Sequence, residues 1–230
     1  MMVWILFIGT LVLSLWAAAR VKSVYHRYSQ GMVRSGLTGG EAAYEILRQA
    51  GVRDVTITHH ESLLGDHYDP IQRRLVLSSA NFFGRSPAAL GVAAHECGHA
   101  IQHQQAYKPL HWRMAAVTAT TYASQLVMWL PLLFIFTNLI EPMTGLLLMA
   151  ACWGVIMVFN LITLPVEFDA SRRAKAALVD LGMIAPGDEA LAVRKVLDAA
   201  AWTYVAAFVT SLAYFLWYLL PLLTGGRSRD

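Results

Sequence analysis

Four long apolar segments do most to limit what this chain can fold into. They cover residues 2–19, 115–139, 143–164 and 202–223. An α-helix rises about 1.5 Å per residue, so each segment is about long enough to cross a hydrocarbon core of roughly 30 Å. Of the 230 residues, 57% are hydrophobic and 14% are charged, which excludes an ordinary soluble globule. The sequence therefore predicts an integral membrane protein with four transmembrane helices.

The first apolar segment predicts an uncleaved membrane anchor whose N-terminus lies outside the cytoplasm. A secretory signal peptide carries basic residues before its apolar core. Here no Lys or Arg precedes the segment, whereas Arg20, Lys22 and Arg27 follow it. The second and third segments are joined only by residues 140–145, and such a short link makes them an antiparallel hairpin.

The distribution of Lys and Arg predicts which parts of the chain face the cytoplasm. Of 18 such residues, 11 lie at positions 20–113, five at 172–195 and two, Arg227 and Arg229, at the C-terminus. With an outside N-terminus, both rich segments are cytoplasmic, as the positive-inside rule requires, and the net charge of +3 needs no nucleic-acid partner. We expect an anchor at 1–20, a cytoplasmic part at 21–113, a transmembrane hairpin at 114–164, a cytoplasmic helical part at 165–201 and a last transmembrane helix at 202–224.

The sequence of the first cytoplasmic part predicts a small α+β domain. Together with the four spans, this makes the expected fold mainly α with a small β-sheet. Thr38 and Glu41 have the spacing of a capping box at the start of a helix. Apolar and polar residues alternate around residues 55–57 and 75–77, with a turn between them, which predicts two or three short strands. Ser86 as N-cap, followed by proline, then predicts a helix that continues to about residue 106.

The predicted helix that follows Ser86 contains the residues with the clearest chemical meaning, His95, Glu96 and His99, in the pattern HExxH. Residues four apart lie on one face of a helix, so the two imidazoles can bind one zinc ion. Glu96 is placed to take a proton from a metal-bound water rather than to bind the metal. The pattern predicts a single catalytic zinc, and the competing interpretation is a polar helix face without a metal.

A catalytic zinc of this kind needs a third protein ligand. The histidine that the metzincin pattern requires is absent, because that position is Gln105. In other sites of this type the ligand is a glutamate from a later helix, and Glu167 stands where the third span is expected to end, near Pro165. A carboxylate at a helix start is also explained by the helix dipole.

Three neighbouring residues fit other roles better. Asp169 points to a different helix face from Glu167, so it is a weaker candidate for a ligand. His103 lies one turn beyond His99, where a surface position, a contact to the substrate and support for the metal ligands are all open. Cys97 lies about 200° from His95 around the helix and is expected to be a packing residue.

Three stretches together carry a resemblance to a known family: DHYDP followed by LVLSS, ALGVAAHECGHAIQ, and LPVEFDASRRA. The chain resembles the YugP-like family of bacterial membrane neutral zinc metallopeptidases, which is related to the HtpX and CAAX prenyl protease group. The resemblance implies a zincin-like catalytic domain at the cytoplasmic face of the bacterial plasma membrane. It implies His95, His99 and Glu167 as zinc ligands and Glu96 as the catalytic residue.

The chain departs from the related HtpX-type motif E-x-x-x-D at one position. The motif's aspartate supports a zinc histidine, but the residue four positions after Glu167 is Ser171. A hydroxyl supports a histidine less strongly than a carboxylate does. Asp169 or another carboxylate takes this role, or the role is absent. Candidates for stabilising the oxyanion are His67, Tyr68, Arg172 and Arg173.

The sequence thus predicts a membrane-anchored zinc endopeptidase that acts on peptides or membrane proteins at the lipid bilayer. The strand before the HExxH helix is either an edge that aligns the substrate or an ordinary half-buried strand. One alternative is a site-2-type intramembrane metalloprotease, although the polar residues after the motif and the short apolar run before it count against a span. The other is a non-catalytic membrane scaffold that binds structural zinc.

Overall fold

The computed structural model of the chain describes residues 2–61, 65–137 and 140–224. The chain forms two compact units. The sheet-containing unit comprises Trp16–His111 and Pro165–Thr203, and the helical unit comprises the chain up to Leu15, Trp112–Leu164, and the chain from Tyr204 onward. Leu139, the expected end of the second span, and the C-terminal Arg227 and Arg229 lie outside the described residues.

Seven helices and three strands make up the described part of the chain. They are α1 (Met2–Tyr28), α2 (Gly39–Gln49), β1 (Thr56–His60), β2 (His67–Asp69), β3 (Arg74–Ser78), α3 (Ser79–Phe82), α4 (Pro87–Gln104), α5 (Lys108–Thr137), α6 (Pro142–Asp180) and α7 (Asp188–Thr224). This is a mainly helical fold with one small sheet, so the predicted fold class is confirmed.

Four of these helices, α1, α5, α6 and α7, are long and apolar enough to cross a membrane. Most of their side chains are not buried within the protein; in the apolar stretch of α1, for example, only 11% are buried. Apolar surface left uncovered in this way is suited to lipid rather than to water. The four spans predicted from the sequence correspond to these four helices.

The boundary expected near Pro165 is not a break in the helix. α6 continues through Pro165 for 39 residues, a length of about 58 Å. Proline removes one backbone donor, and helices that lie against other helices tolerate this loss. Since the hydrocarbon core is only about 30 Å thick, α6 is long enough to leave a membrane and continue into the sheet-containing unit.

The three strands of the sheet are arranged in the order β1-β3-β2. β3 pairs in parallel with β1, with Ile57 opposite Leu75, and antiparallel with β2, with Tyr68 opposite Leu75. The strand before the HExxH helix is therefore the central strand, with both edges occupied. Of the two alternatives that the sequence left open for this strand, the open edge is excluded, because two neighbouring strands already use its backbone groups.

Both helix starts predicted for the sheet-containing unit are confirmed. The side chain of Thr38 accepts a hydrogen bond from the backbone of Glu41, and the carboxylate of Glu41 accepts one from the backbone of Thr38. At the start of α4, the side chain of Ser86 accepts a hydrogen bond from Ala89 N at 3.1 Å. Each cap satisfies backbone donors that a helix start leaves without partners.

The helix α4 is largely buried in the hydrophobic core of the sheet-containing unit. Leu90, Ala94 and Cys97 of α4 are each 0% exposed, and the core around them includes Leu77 of β3 and Leu178 of α6. A helix buried on several sides holds its few polar side chains in defined orientations. This burial is what makes the positions of the α4 histidines specific.

The helical unit is held together by close packing between helices. The rings of Trp153 on α6 and Tyr214 on α7 stack with their centroids 4.5 Å apart. The side-chain amide of Asn160 donates hydrogen bonds to Ser211 Oγ at 3.0 Å and to Ala207 O at 3.2 Å. Hydrogen bonds between helices contribute to helix association where lipid removes the hydrophobic driving force.

Candidate metal centre

Two histidines of α4 and one glutamate of α6 bring potential metal-binding atoms close together. His95, His99 and Glu167 each offer one such atom, and these atoms all lie within 4.8 Å of one another. They are the three residues that the sequence suggested as ligands, although His95 and Glu167 are 72 positions apart. The tertiary structure therefore assembles the complete candidate set in the sheet-containing unit.

Two of the three distances between these donors match those expected around a single zinc ion, and the third pair, His95 and His99, lies within 4.8 Å. Nε2 of His95 lies 3.1 Å from Oε2 of Glu167, and Nε2 of His99 lies 3.6 Å from the same oxygen. Two donors that are each about 2.1 Å from one tetrahedral zinc stand about 3.4 Å apart. Within the part of the chain that is described, no fourth donor joins the group. A water or a substrate oxygen can then take the remaining position, as in catalytic zinc sites.

Gly98 is the residue that allows α4 and α6 to come this close. A Cβ atom at this position would lie 2.7 Å from the carbonyl oxygen of Ala170 and 3.0 Å from its Cα. Both of these are backbone atoms of α6, which cannot move aside as a flexible side chain would. The glycine inside the HExxH motif therefore permits the approach that brings Glu167 to the two histidines.

Glu96 lies next to this group but is not one of the three close donors. It is 8% exposed, and among the described residues its carboxylate has no hydrogen-bond partner. A carboxylate that is neither bound to a cation nor hydrogen-bonded is available to accept a proton. This is the condition that a general base must meet.

His99 is supported by a residue whose role the sequence analysis did not identify. Oε1 of Gln102 lies 3.0 Å from Nδ1 of His99, and Nε2 of Gln102 donates to Oδ2 of Asp169 at 2.9 Å. Gln102 is 0% exposed, although it is one of the polar residues that follow the HExxH motif in the sequence. Its position three residues after His99, on the same helix face, was the available signal.

His95 is supported by the residue at the position where the related motif has aspartate. The hydroxyl oxygen of Ser171 lies 3.1 Å from Nδ1 of His95. Asp169 instead forms ion pairs with Arg172 and Arg173 and accepts the hydrogen bond from Gln102. The carboxylate of Asp169 is therefore linked to His99 only through the amide of Gln102, and it does not contact the histidine directly.

Burial and nearby charges change the proton affinity of two groups on α4. Burial acts to lower the pKa of His99, but the nearby carboxylate of Glu167 and the charge of Glu96 outweigh it and raise that pKa above its usual value. Burial raises the pKa of the Cys97 thiol well above its usual range. Cys97 therefore remains a neutral thiol, with its sulfur 3.6 Å from Ala43 O, as expected of a packing residue.

The candidates for stabilising an oxyanion are mostly engaged with other side chains. The hydroxyl of Tyr68 lies 2.8 Å from Nδ1 of His103, and both residues line a cavity of about 160 Å³. Arg172 and Arg173 pair with Asp169. His103 is therefore half-buried and hydrogen-bonded to β2 through Tyr68, and it is not a plain surface residue. Burial, with the charges of Arg73 and His111, lowers the pKa of His103.

Two histidines one helical turn apart, with a glutamate from a second helix and membrane-type helices in the same chain, are typical of membrane-bound zinc peptidases. Comparison with known proteins agrees with this class. The chain belongs to the family described as "Putative neutral zinc metallopeptidase", whose model matches residues 3–223. It is also 42% identical over 220 residues to the "Putative membrane protease YugP" of Bacillus subtilis (strain 168), with 96% of each chain covered.

No solved structure matches the chain. The family match confirms the resemblance that the three sequence stretches indicated, since it extends over nearly the whole chain. Membership in this family makes the chain a zinc metallopeptidase, and four of its helices are long and apolar enough to cross a membrane.

Proposed function

We propose that this chain is a membrane-anchored zinc endopeptidase that hydrolyses peptide bonds of membrane or membrane-proximal proteins. His95, His99 and Glu167 hold one zinc ion, and Glu96 is the general base. The observation that supports this most directly is the approach of the three donor atoms to within 4.8 Å of one another. Gluzincin-type peptidases bind zinc through two histidines and a glutamate. They carry a second glutamate, the base, between the two histidines in the sequence.

When bound, the zinc ion supplies Lewis acidity that polarises the scissile carbonyl group and makes water a competent nucleophile near neutral pH. Glu96 takes a proton from the attacking water while the water oxygen forms a bond to the carbonyl carbon. As the C–N bond breaks, Glu96 delivers the proton to the leaving amine. The free carboxylate of Glu96 is suited to this transfer because no cation or donor among the described residues competes for it.

The substrate chain is proposed to lie along β2, an outer strand of the sheet. β2 contacts α4, because Tyr68 of β2 is hydrogen-bonded to His103 of α4. An extended peptide that adds to a sheet edge is held through its main chain, with little dependence on its side chains. This placement replaces β3, whose two edges are both paired.

A site-2-type intramembrane protease is the less suitable alternative. In such an enzyme the HExxH motif lies inside a membrane span. The motif here is on α4, which has 18 residues and is not among the four membrane-type helices. Gln102 and His103 of α4 form hydrogen bonds with polar side chains of the sheet-containing unit rather than facing an apolar surface.

A non-catalytic scaffold with structural zinc is the other alternative. Structural zinc sites are usually closed by four protein ligands and are rich in cysteine. The group found here has three donors, and Cys97 points to a backbone carbonyl of α2 instead of joining them. Three ligands and an unbound glutamate favour a reaction over a purely structural site.

The active site is proposed to face the cytoplasm of a bacterial cell. Sixteen of the 18 Lys and Arg residues lie in two segments, 20–113, which contains His95, and 172–195, which begins just after Glu167. The positive-inside rule places such segments in the cytoplasm. The plasma membrane is the compartment that this orientation and the bacterial relative suggest.

The deciding experiment uses the detergent-solubilised full chain. Zinc content is measured by mass spectrometry, and cleavage of an unfolded model protein is followed before and after treatment with a chelator. We expect one zinc per chain, loss of cleavage on chelation and recovery on adding zinc. Zinc that remains bound without any peptide cleavage would support the scaffold instead.

A further inference from the structure

We infer that Gln102 is a positioning residue for the zinc site, which holds His99 in the tautomer with its proton on Nδ1 so that the lone pair of Nε2 faces the metal. The inference rests on the proposed function, since it assigns a role toward the same zinc ion. It concerns a residue outside the HExxH motif and outside the set of metal ligands.

The orientation of the Gln102 amide is determined by its two partners on α6. The side chain is completely buried, and its nitrogen lies 2.8 Å from the carbonyl oxygen of Val166 and 2.9 Å from Oδ2 of Asp169. A backbone carbonyl and a carboxylate only accept hydrogen bonds, and an amide NH2 group has two hydrogens to donate. If the amide were turned over, its oxygen would face two acceptors in a buried place, which is strongly unfavourable.

This orientation determines the tautomer of His99. With the amide nitrogen engaged by Val166 and Asp169, the amide oxygen is the atom that lies 3.0 Å from Nδ1 of His99. An amide oxygen cannot donate, so Nδ1 must carry the hydrogen. In the neutral imidazole the unprotonated nitrogen is then Nε2, which is the atom 3.6 Å from the carboxylate of Glu167.

The two zinc histidines are therefore supported in different ways. The partner of His95 is the hydroxyl of Ser171, which can either donate or accept and so does not select a tautomer. The partner of His99 can only accept. One helix, α6, supplies both the ligand Glu167 and, through Val166 and Asp169, the groups that orient Gln102. Correct docking of α6 thus completes the ligand set and prepares His99 in the same step.

The test compares the variants Gln102→Met and Gln102→Glu in the solubilised full chain. Methionine has similar length but offers no acceptor to His99. Glutamate keeps an acceptor for His99 but places a carboxylate against Val166 O and Asp169, where donors are needed. A role in positioning His99 and a merely structural role therefore rank the two variants in opposite order.

Two quantities are measured: zinc affinity by competition with a chelating dye, and the thermal stability of the metal-free protein. We expect Gln102→Met to weaken zinc binding by about 10- to 100-fold, and Gln102→Glu to weaken it less while being the less stable protein. Gln104→Met is the matched control, because Gln104 is exposed and donates to Gly51 O. Its zinc affinity should equal that of the wild type.

The inference would be overturned if Gln102→Met bound zinc as tightly as the wild type. It would also be overturned if the less stable of the two variants were the one with the weaker zinc binding. If Gln102→Met does not fold, Gln102→Glu decides by itself. An affinity within about tenfold of wild type in a destabilised protein supports the inference, whereas a loss beyond about 100-fold overturns it. Absence of zinc from the wild-type chain would instead contradict the proposed function, so the two failures are distinct.

Discussion

The hydroxyl oxygen of Ser171 lies 3.1 Å from Nδ1 of His95, although the two residues are 76 positions apart. The serine stands where the related motif has an aspartate, and it contacts the first histidine of the HExxH motif. A neutral hydroxyl gives weaker support to a histidine than a carboxylate does. The contact is therefore retained in this chain, while its strength is reduced.

Removing that hydroxyl should have a small effect on zinc binding. For Ser171→Ala we expect zinc affinity to fall by no more than about tenfold, which is the smallest effect usual for residues that support metal ligands. Competition with a chelating dye measures it. Ser35→Ala, which removes a hydroxyl bonded to Met183 O far along the chain, controls for the loss of a hydrogen bond. A loss of more than 100-fold would show that Ser171 does more than orient His95.

Glu96→Gln tests the assignment of the general base. Glutamine has the same shape but cannot accept a proton from water, so we expect the rate of peptide cleavage to fall by about 10²- to 10⁴-fold. The zinc content should stay at the wild-type level, because Glu96 is not one of the three close donors. Cleavage at the wild-type rate by this variant would exclude the mechanism.

Glu167→Gln tests the third ligand. The substitution replaces a charged oxygen donor that lies 3.1 Å from Nε2 of His95. We expect zinc affinity to fall by more than about 100-fold, beyond the usual effect of a supporting residue, with cleavage lost in parallel. Asp180→Asn, an exposed carboxylate on the same helix, is the control and should bind zinc normally. Equal affinities in the two variants would remove Glu167 from the ligand set.

Gly98→Ala tests the close approach of α4 and α6. In an ordinary helix this change is stabilising by about 1 kcal/mol, but here the new Cβ would lie 2.7 Å from a carbonyl oxygen of α6. We expect a net loss of about 1–3 kcal/mol from overpacking, together with weaker zinc binding. Thermal unfolding of the zinc-free and zinc-loaded protein measures both effects.

The control for this glycine lies on the same helix. At Gly91 the atom nearest to an added Cβ would be in the side chain of Val193, at 3.4 Å, and the nearest backbone atom, Cα of Val193, would be at 4.0 Å, which is ordinary contact. Gly91→Ala should therefore leave stability unchanged or raise it, and zinc affinity should not change. Similar destabilisation at Gly91 and Gly98 would mean that the packing of α4 in general, and not the approach of α6, limits these positions.

The proposed orientation can be tested by labelling single cysteines with a membrane-impermeant maleimide in intact cells. Both natural cysteines are buried, so the wild-type chain should give little background. We expect Glu141→Cys, in the short link of the hairpin, to be labelled from outside. Ile71→Cys, at a position that is 88% exposed, should be labelled only after the membrane is opened. The reverse pattern would place the zinc site outside.

Much of the local structure and most of the candidate site could be predicted from the sequence because the signals are local. The capping box of Thr38 and Glu41 and the pair His95 and His99 depend on residues three or four positions apart, where helix geometry determines the spacing. Glu167 could be suggested because a short hairpin returns the chain to the side from which it left. Its role as a ligand remains a prediction that zinc measurements must test.

The sequence left open whether the strand before α4 is an edge strand or an ordinary strand of the sheet. The strand before α4 has the same alternating pattern whether it is an edge or a centre, and only the order β1-β3-β2 shows that both of its sides are paired. Likewise, Pro165 resembles a helix boundary in sequence, whereas α6 continues through it. In both cases the outcome depends on neighbours that are distant in the sequence.

The sequence by itself therefore determined that the chain is a membrane protein with an HExxH helix, since hydrophobic length and helical spacing are properties of the segments alone. The tertiary structure decided how that helix meets α6. Gly98 leaves room for the backbone of Ala170, which brings Glu167 to the histidines and lets Gln102 reach Asp169. A buried glutamine and an exposed glutamine look the same in a sequence, and only burial forces each of its polar atoms to find a partner.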